Sequence, residues 1–162
     1  TFDLFENTGR LFHRALESLT QEDCLKRPRE ANPMIWLAGH LTLSRCGLAS
    51  FLGARCPRPW KPLFGRYSQL VEAGRYPHIG EVAAAFDQAT ARARKRFGEL
   101  GPQDLTAAVP ADRFPTDVQS LEDGIDFLLW HEAYHIGQMA YLRKWLGYEG
   151  LIDGAPGAHP SG

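Results

Sequence analysis

Apolar residues recur at spacings of three and four along four stretches of the chain. In the first, Phe2, Phe5, Gly9, Phe12, Leu16 and Leu19 share one stripe, and Glu6, Arg10, Arg14 and Glu17 fall off it. That spacing predicts an amphipathic helix with one face in a core. A short turn over 21–25 precedes Pro28. The second stripe is Leu37, Leu41, Ser44, Leu48 and Phe51. Asn32 is placed to cap this helix, Pro33 suits its first position, and Gly53 and Pro57 bracket its end. The third stripe, Val82, Phe86, Ala89, Ala93 and Phe97, predicts a helix over about 79–100. Arg92, Arg94, Lys95 and Arg96 crowd its C-terminal half, where cations favour the helix dipole. The fourth stripe is Leu121, Ile125, Leu128, Met139, Leu142 and Leu146. Ser120, with Asp123 three residues on, predicts its start, and Gly147 its end.

The 11 prolines support the same division. Proline breaks a helix interior, and the proline-free windows are 1–27, 34–56, 78–101 and 116–155. No strand alternation and no internal repeat is visible. The fold class expected is all-α, a four-helix bundle. Residues 54–77 hold four prolines and form a connection too long to be idle in a compact domain. This long crossover between helices two and three lets those two helices run in the same direction. The expected organisation is one domain over 1–153 and a flexible tail over 154–162.

Composition narrows the class without choosing a function. The chain has 162 residues, about one domain, enough to bury roughly two thirds of its unfolded surface. Its 18 basic and 19 acidic residues leave a net charge of −1, which argues against a basic nucleic-acid-binding face. No apolar run is long enough for a membrane span. The three cysteines, Cys24, Cys46 and Cys56, form no CxxC pair, so a secreted disulfide framework is not expected. Asp3 and Glu6 stand where a leader would be basic and then apolar, and the expected location is cytoplasmic.

The candidate chemistry lies in the histidines. Of six, His159 falls in the tail, His78 precedes the third helix, and His13 sits at the polar edge of the first. The other three differ. His131 and His135 are four apart on the last helix and share a face near its apolar stripe. His40 lies beside Leu41 and Ser44 on the inner face of the second helix. One buried imidazole with a hydrogen bond is ordinary. Two at this spacing with a third opposite would bring like charges together on protonation. Two readings follow: core histidines each satisfied by a bond, or a divalent metal held by neutral imidazoles.

The segment WHEAYH also contains H-E-x-x-H, the helical zinc-protease signature, with Glu132 in the place of the general base. The extended pattern wants a third histidine where Tyr141 stands. There is no sign of a strand to bind a peptide, so a protease is not expected. A di-iron bundle needs a second E-x-x-H, and the chain has none.

The motif NPMIWLAGHL at 32–41 resembles the helix-two motif of the DinB/YfiT-like superfamily. HEAYHIGQMAYLRKWLG at 131–147 resembles its helix-four motif, and ELGPQDL at 99–105 its third-helix exit. The resemblance spans almost the whole chain. It implies an up-down-down-up four-helix bundle, often a homodimer. Its metal ligands, carried over position by position, are His40, His131 and His135. It implies one divalent ion, zinc or nickel, with an open coordination position, and a low-molecular-weight thiol as a further cofactor. Relatives include bacillithiol S-transferases and mycothiol-dependent maleylpyruvate isomerases, so the resemblance implies a metal-dependent enzyme of the thiol S-transferase or isomerase kind acting on a small-molecule substrate. The alternative is a non-catalytic metal-binding or small-ligand-sensing dimeric bundle. Neither nucleic acid nor a membrane is an expected partner. Trp36, Tyr134 and Gln138 are expected to line the pocket. Arg143 and Lys144 are placed to hold an anionic thiol, although the helix dipole alone is reason enough for them.

Overall fold

All four apolar stripes fold as long helices. The structure, a computed structural model, describes residues 2–58, 60–110, 114 and 117–152. In chain order the helices are α1 (Phe2–Leu16), α2 (Gln21–Leu25), α3 (Met34–Phe51), α4 (Lys61–Phe64), α5 (Ile79–Phe97), α6 (Pro102–Leu105) and α7 (Leu121–Trp145). Among the described residues there is no strand, only an isolated antiparallel bridge between Ala108 and Ser120. No described helix is long and apolar enough to cross a membrane. The expected flexible tail over 154–162, with His159, lies outside the described residues.

The helix ends have local causes. Ser120 Oγ accepts from the Asp123 amide at 3.1 Å, and Asp123 Oδ2 accepts from the Ser120 amide at 2.9 Å. This reciprocal capping box satisfies two amides that α7 itself leaves unpaired. At α5 the cap is His78, whose Nδ1 accepts from the Gly80 amide at 3.1 Å. The start of α3 differs from the sequence expectation. Pro33, not Asn32, is the capping residue, and no side chain caps this helix. Pro33 stays extended at ψ 162°, so the helix begins one residue later than the proline rule suggests.

The long helices pack in a ring, α3 against α5 and α7, and α1 against α7 and α5. Two apolar clusters fill it. One gathers Phe12, Leu37, Leu41, Phe86, Ile136 and Met139; the other gathers Phe2, Phe5, Leu48, Leu52, Leu121 and Ile125. Each large side chain so buried contributes roughly 1.5–3 kcal/mol. Between the clusters a fully buried Arg45 crosses the bundle. Its Nε donates to Glu132 Oε1 at 2.8 Å and its Nη2 to Glu132 Oε2 at 2.6 Å. Thr90 Oγ1 and the Phe5 carbonyl accept its other protons, and its guanidinium lies 4.6 Å from the Phe86 ring centre. Thr8 Oγ1 donates to Glu132 Oε2 at 2.8 Å, so four helices meet at one ion pair.

The crossover contains α4 and one 3-10 turn, Ala73–Arg75. It returns to α3 because Gly39 leaves room for it. The Phe64 ring lies where a Cβ on Gly39 would stand. Phe64 is fully buried there, 5.9 Å from the Tyr76 ring.

Candidate metal centre

The packing of α3 on α7 brings His40, His131 and His135 together, with their ligand nitrogens all within 4.8 Å of one another. His131 Nε2 lies 3.3 Å from His40 Nε2 and 3.2 Å from His135 Nε2. All three rings are half-buried.

The opposite edge of each ring is already engaged. His40 Nδ1 is 2.7 Å from the Phe64 carbonyl, which can only accept, so the proton sits on Nδ1 and Nε2 keeps its lone pair. His135 Nδ1 donates likewise to Gln138 Oε1 at 2.7 Å, and Gln138 Nε2 donates to Tyr134 Oη at 3.2 Å. His131 Nδ1 is 3.2 Å from Ser44 Oγ. Trp36 stacks on His40 with ring centres 4.8 Å apart, and its indole N–H donates to Ser68 Oγ at 3.0 Å. Each imidazole is therefore oriented by a partner behind it: the Phe64 and Gln138 oxygens fix the tautomers of His40 and His135, and the Ser44 hydroxyl aims His131.

Burial pushes His131 down to about 4, with the His135, His40 and Arg66 charges adding to the shift. Burial also pushes His135 down to about 4, against the Gln138 bond and with His40 adding. Burial lowers His40 too, against its bond to the Phe64 carbonyl. All three are neutral at pH 7, the form that ligates a cation. His40 and His135 both aim Nε2 lone pairs at His131 Nε2, and a proton on that nitrogen or a cation among the three satisfies them. Two imidazole nitrogens on a tetrahedral ion at about 2.0–2.1 Å stand about 3.3–3.4 Å apart. The His131 separations of 3.2 and 3.3 Å match that edge length and the His40–His135 pair lies within 4.8 Å, so a small shift of one ring lets the residues present fit a divalent ion.

One side of the triad opens to a cavity of about 210 Å³ lined by His40, His131, Ser44, Arg58, Lys61 and Arg66, with Leu43, Phe64 and Gly65. Among the described residues its lining has three basic side chains and no carboxylate. A larger cavity of about 520 Å³ lies on the other side of Gln138, lined by Tyr134, Gln138, Leu37, Asn32 and Glu30 among others. Of the pocket residues expected from the sequence, Tyr134 and Gln138 line this second cavity. Trp36 is buried and backs His40 instead. Arg143 does not face either cavity: it is buried and donates to the carbonyls of Glu149, Ala15 and Glu17. It ties the end of α7 to the end of α1.

Three participants, and the Arg45 ion pair beneath them, were not foreseen in the sequence. Ser44 falls one turn after His40 on the same stripe, and that spacing was the available signal. Arg45 carried none, because a lone arginine on a helix reads as solvated. The Phe64 carbonyl is main chain and leaves no side-chain trace. Arg66 reaches the site only through the course of the crossover.

No curated protein and no solved structure matches the chain. The sequence profile of the DinB superfamily matches residues 4–139, a span that holds all three histidines and every long helix up to the last turns of α7. The chain belongs to the DinB superfamily.

Proposed function

We propose that this protein is a metal-dependent enzyme of the thiol S-transferase or isomerase kind, with His40, His131 and His135 as ligands. The observation that carries the reading is the convergence of three Nε2 atoms whose rings are each anchored through Nδ1. Three imidazole nitrogens suit zinc or nickel. A divalent ion held by these three residues would supply Lewis acidity and, with a coordination position left open, would favour the thiolate form of a thiol. Arg58, Lys61 and Arg66 line the approach to that position, so the favoured substrate or thiol is a small molecule carrying negative charge. Trp36 and the Phe64 carbonyl hold His40 in place, and Gln138 does the same for His135.

Elemental analysis tests the metal. Protein prepared without a metal-affinity tag is expected to carry one equivalent of zinc or nickel, and native protein free of metal would sink the reading. His131→Ala is expected to lose the ion. His13→Ala is expected to keep it, because His13 lies on α1 beside Asp87 and outside the triad. Conjugation of a low-molecular-weight thiol with an electrophile, measured with and without the ion, tests the reaction.

One observation favours a second reading, a ligand-sensing bundle. The larger cavity, about 520 Å³, includes none of the three histidines in its lining. A ligand there would reach the triad through Gln138 and Tyr134, which line the cavity and touch His135. One bound ion with no turnover of any thiol favours this reading over the first.

We also infer an up-down-down-up course for the long helices. Thr42, Arg45 and Leu52 of the α3 segment meet Val82, Thr90 and Arg96 in ascending order, which supports parallel α3 and α5. Thr8 and Ala15 meet Glu132 and Arg143 in the same sense, which supports parallel α1 and α7. A homodimer is proposed from the superfamily resemblance, with the α7 outer face as its contact. Trp130, Tyr134, Tyr141 and Trp145 stand exposed there at helical spacing.

A further inference from the structure

Cys46 and Cys56 are ten residues apart and belong to no two-cysteine motif. The fold closes the gap by a specific turn. At the end of α3 the Gly53 amide donates to the Ser50 carbonyl, and the Ala54 amide to the Ala49 carbonyl at 2.8 Å. Gly53 sits in the left-handed region at φ 90°. These are the paired bonds of a helix stop that reverses the chain. Two arginines of α5 then hold the returning segment: Arg96 Nε donates to the Leu52 carbonyl at 3.0 Å, and Arg92 Nη1 to the Arg55 carbonyl at 2.9 Å. The outcome is a Cys56 Sγ that lies 2.7 Å from Cys46 Sγ, with both sulfurs as free thiols.

The surroundings of the pair point to chemistry at it. Cys46 is buried and Cys56 half-buried, and both line a cavity of about 110 Å³ together with Arg58 and Arg92. Burial, with the Cys56 bond, pushes the Cys46 thiol up to about 12, while Arg58 and Arg92 pull the other way. A buried thiol of this kind is a poor first nucleophile, and the more accessible Cys56 is the point of entry.

We propose that Cys46 and Cys56 form an oxidisable dithiol whose substrate is a small-molecule disulfide. Cys56 loses its proton and attacks one sulfur of the small disulfide. A mixed disulfide forms, and the first small thiolate leaves. Cys46 then loses its proton and attacks Cys56 Sγ, which forms the Cys46–Cys56 bond and expels the second small thiolate. The two thiolates take up the two protons. Two protein thiols are oxidised and one small disulfide is reduced to two thiols. Sulfurs already in contact need little side-chain rotation to reach the bonding distance of about 2.05 Å.

The bond would fasten the first residues of the crossover to α3. Arg58, two residues beyond Cys56, lines both this cavity and the one that opens on His40 and His131. Thiol oxidation would thus fix the chain beside the triad without touching a ligand. This inference is independent of the metal reading.

The test is to equilibrate the intact protein with graded ratios of reduced and oxidised glutathione, block free thiols with a maleimide under denaturing conditions, and map the peptides. The expected result is the loss of two of the three thiols as one cross-linked peptide pair containing Cys46 and Cys56, with Cys24 still labelled. Cys46→Ser is expected to trap the glutathione adduct on Cys56. The proposal is overturned if wild-type protein keeps all three thiols, or if it holds a stable adduct on Cys56 beside an unreacted Cys46.

Discussion

His131 and Glu132 are adjacent in sequence and have opposite surroundings. A helix turns about 100° per residue, so the imidazole faces the triad while the carboxylate faces the bundle interior. There Glu132 accepts two bonds from Arg45 and one from Thr8. These bonds hold it in the bundle interior, turned from the triad, so the glutamate of H-E-x-x-H serves here as the buried counter-ion of Arg45. Removing one partner of a buried pair strands the other charge, at a cost of about 3–5 kcal/mol. Glu132→Ala is therefore expected to lower stability by that amount in urea unfolding, and a change below about 1 kcal/mol would contradict the pairing. The imidazoles make a second prediction. In the native metal-free chain His131 and His135 take up protons only near pH 4, whereas unfolded imidazoles do so near 6.5. Between those values the unfolded state binds more protons, so stability falls as the pH falls. The melting temperature of the chelated protein is expected to drop between pH 6.5 and 4, and His131→Ala to flatten that slope. A slope unchanged by the substitution would mean that the ring is not desolvated.

At the scale of elements, the site depends on how close α4 comes to α3. Gly39 is adjacent to His40 and leaves the space that the Phe64 ring occupies. The Phe64 carbonyl in turn accepts the hydrogen bond from His40 Nδ1. Gly39→Ala adds a methyl group where that ring stands, so α4 must move and His40 must lose or lengthen its bond. Loss of such an orienting partner weakens metal affinity by about 10–100-fold. Competition with a chromophoric chelator should show this for Gly39→Ala while all three ligands remain. The long helices and the triad were legible in the sequence because both rest on periodicity. Spacings of three and four mark the core faces, and two histidines four apart on such a face announce themselves. The cap of α3 was misread by one residue, since the expectation took Pro33 as helical and the chain keeps it extended. The crossover was legible only as a gap, because its course depends on a cavity at a glycine and on main-chain carbonyls. Arg45 and Arg143 were illegible for a related reason: charge predicts exposure until a buried partner is known.

At the scale of the whole molecule, the exposed aromatic stripe of α7 borders the 520 Å³ cavity through Tyr134 and Tyr141, beside Gly137, where a Cβ would meet only open space. A second copy seated there would cover Tyr134 and Tyr141, so the dimer should be visible by sedimentation at micromolar concentration. Tyr141→Glu is expected to shift it toward the monomer with the metal still bound. A monomeric wild-type protein would remove the dimer from the account. The crossover has a further consequence, which is evolutionary. The three histidines belong to α3 and α7, while Arg58, Lys61 and Arg66 of the cavity lining belong to the connecting chain. What the triad takes from that chain by hydrogen bond is a backbone oxygen, which any residue in that position supplies. Substitutions at 58, 61 and 66 can therefore remodel the charge and shape of the entrance while the ligands keep their aim. Selection is free to vary the cavity lining along this strap and to leave the bundle beneath it intact.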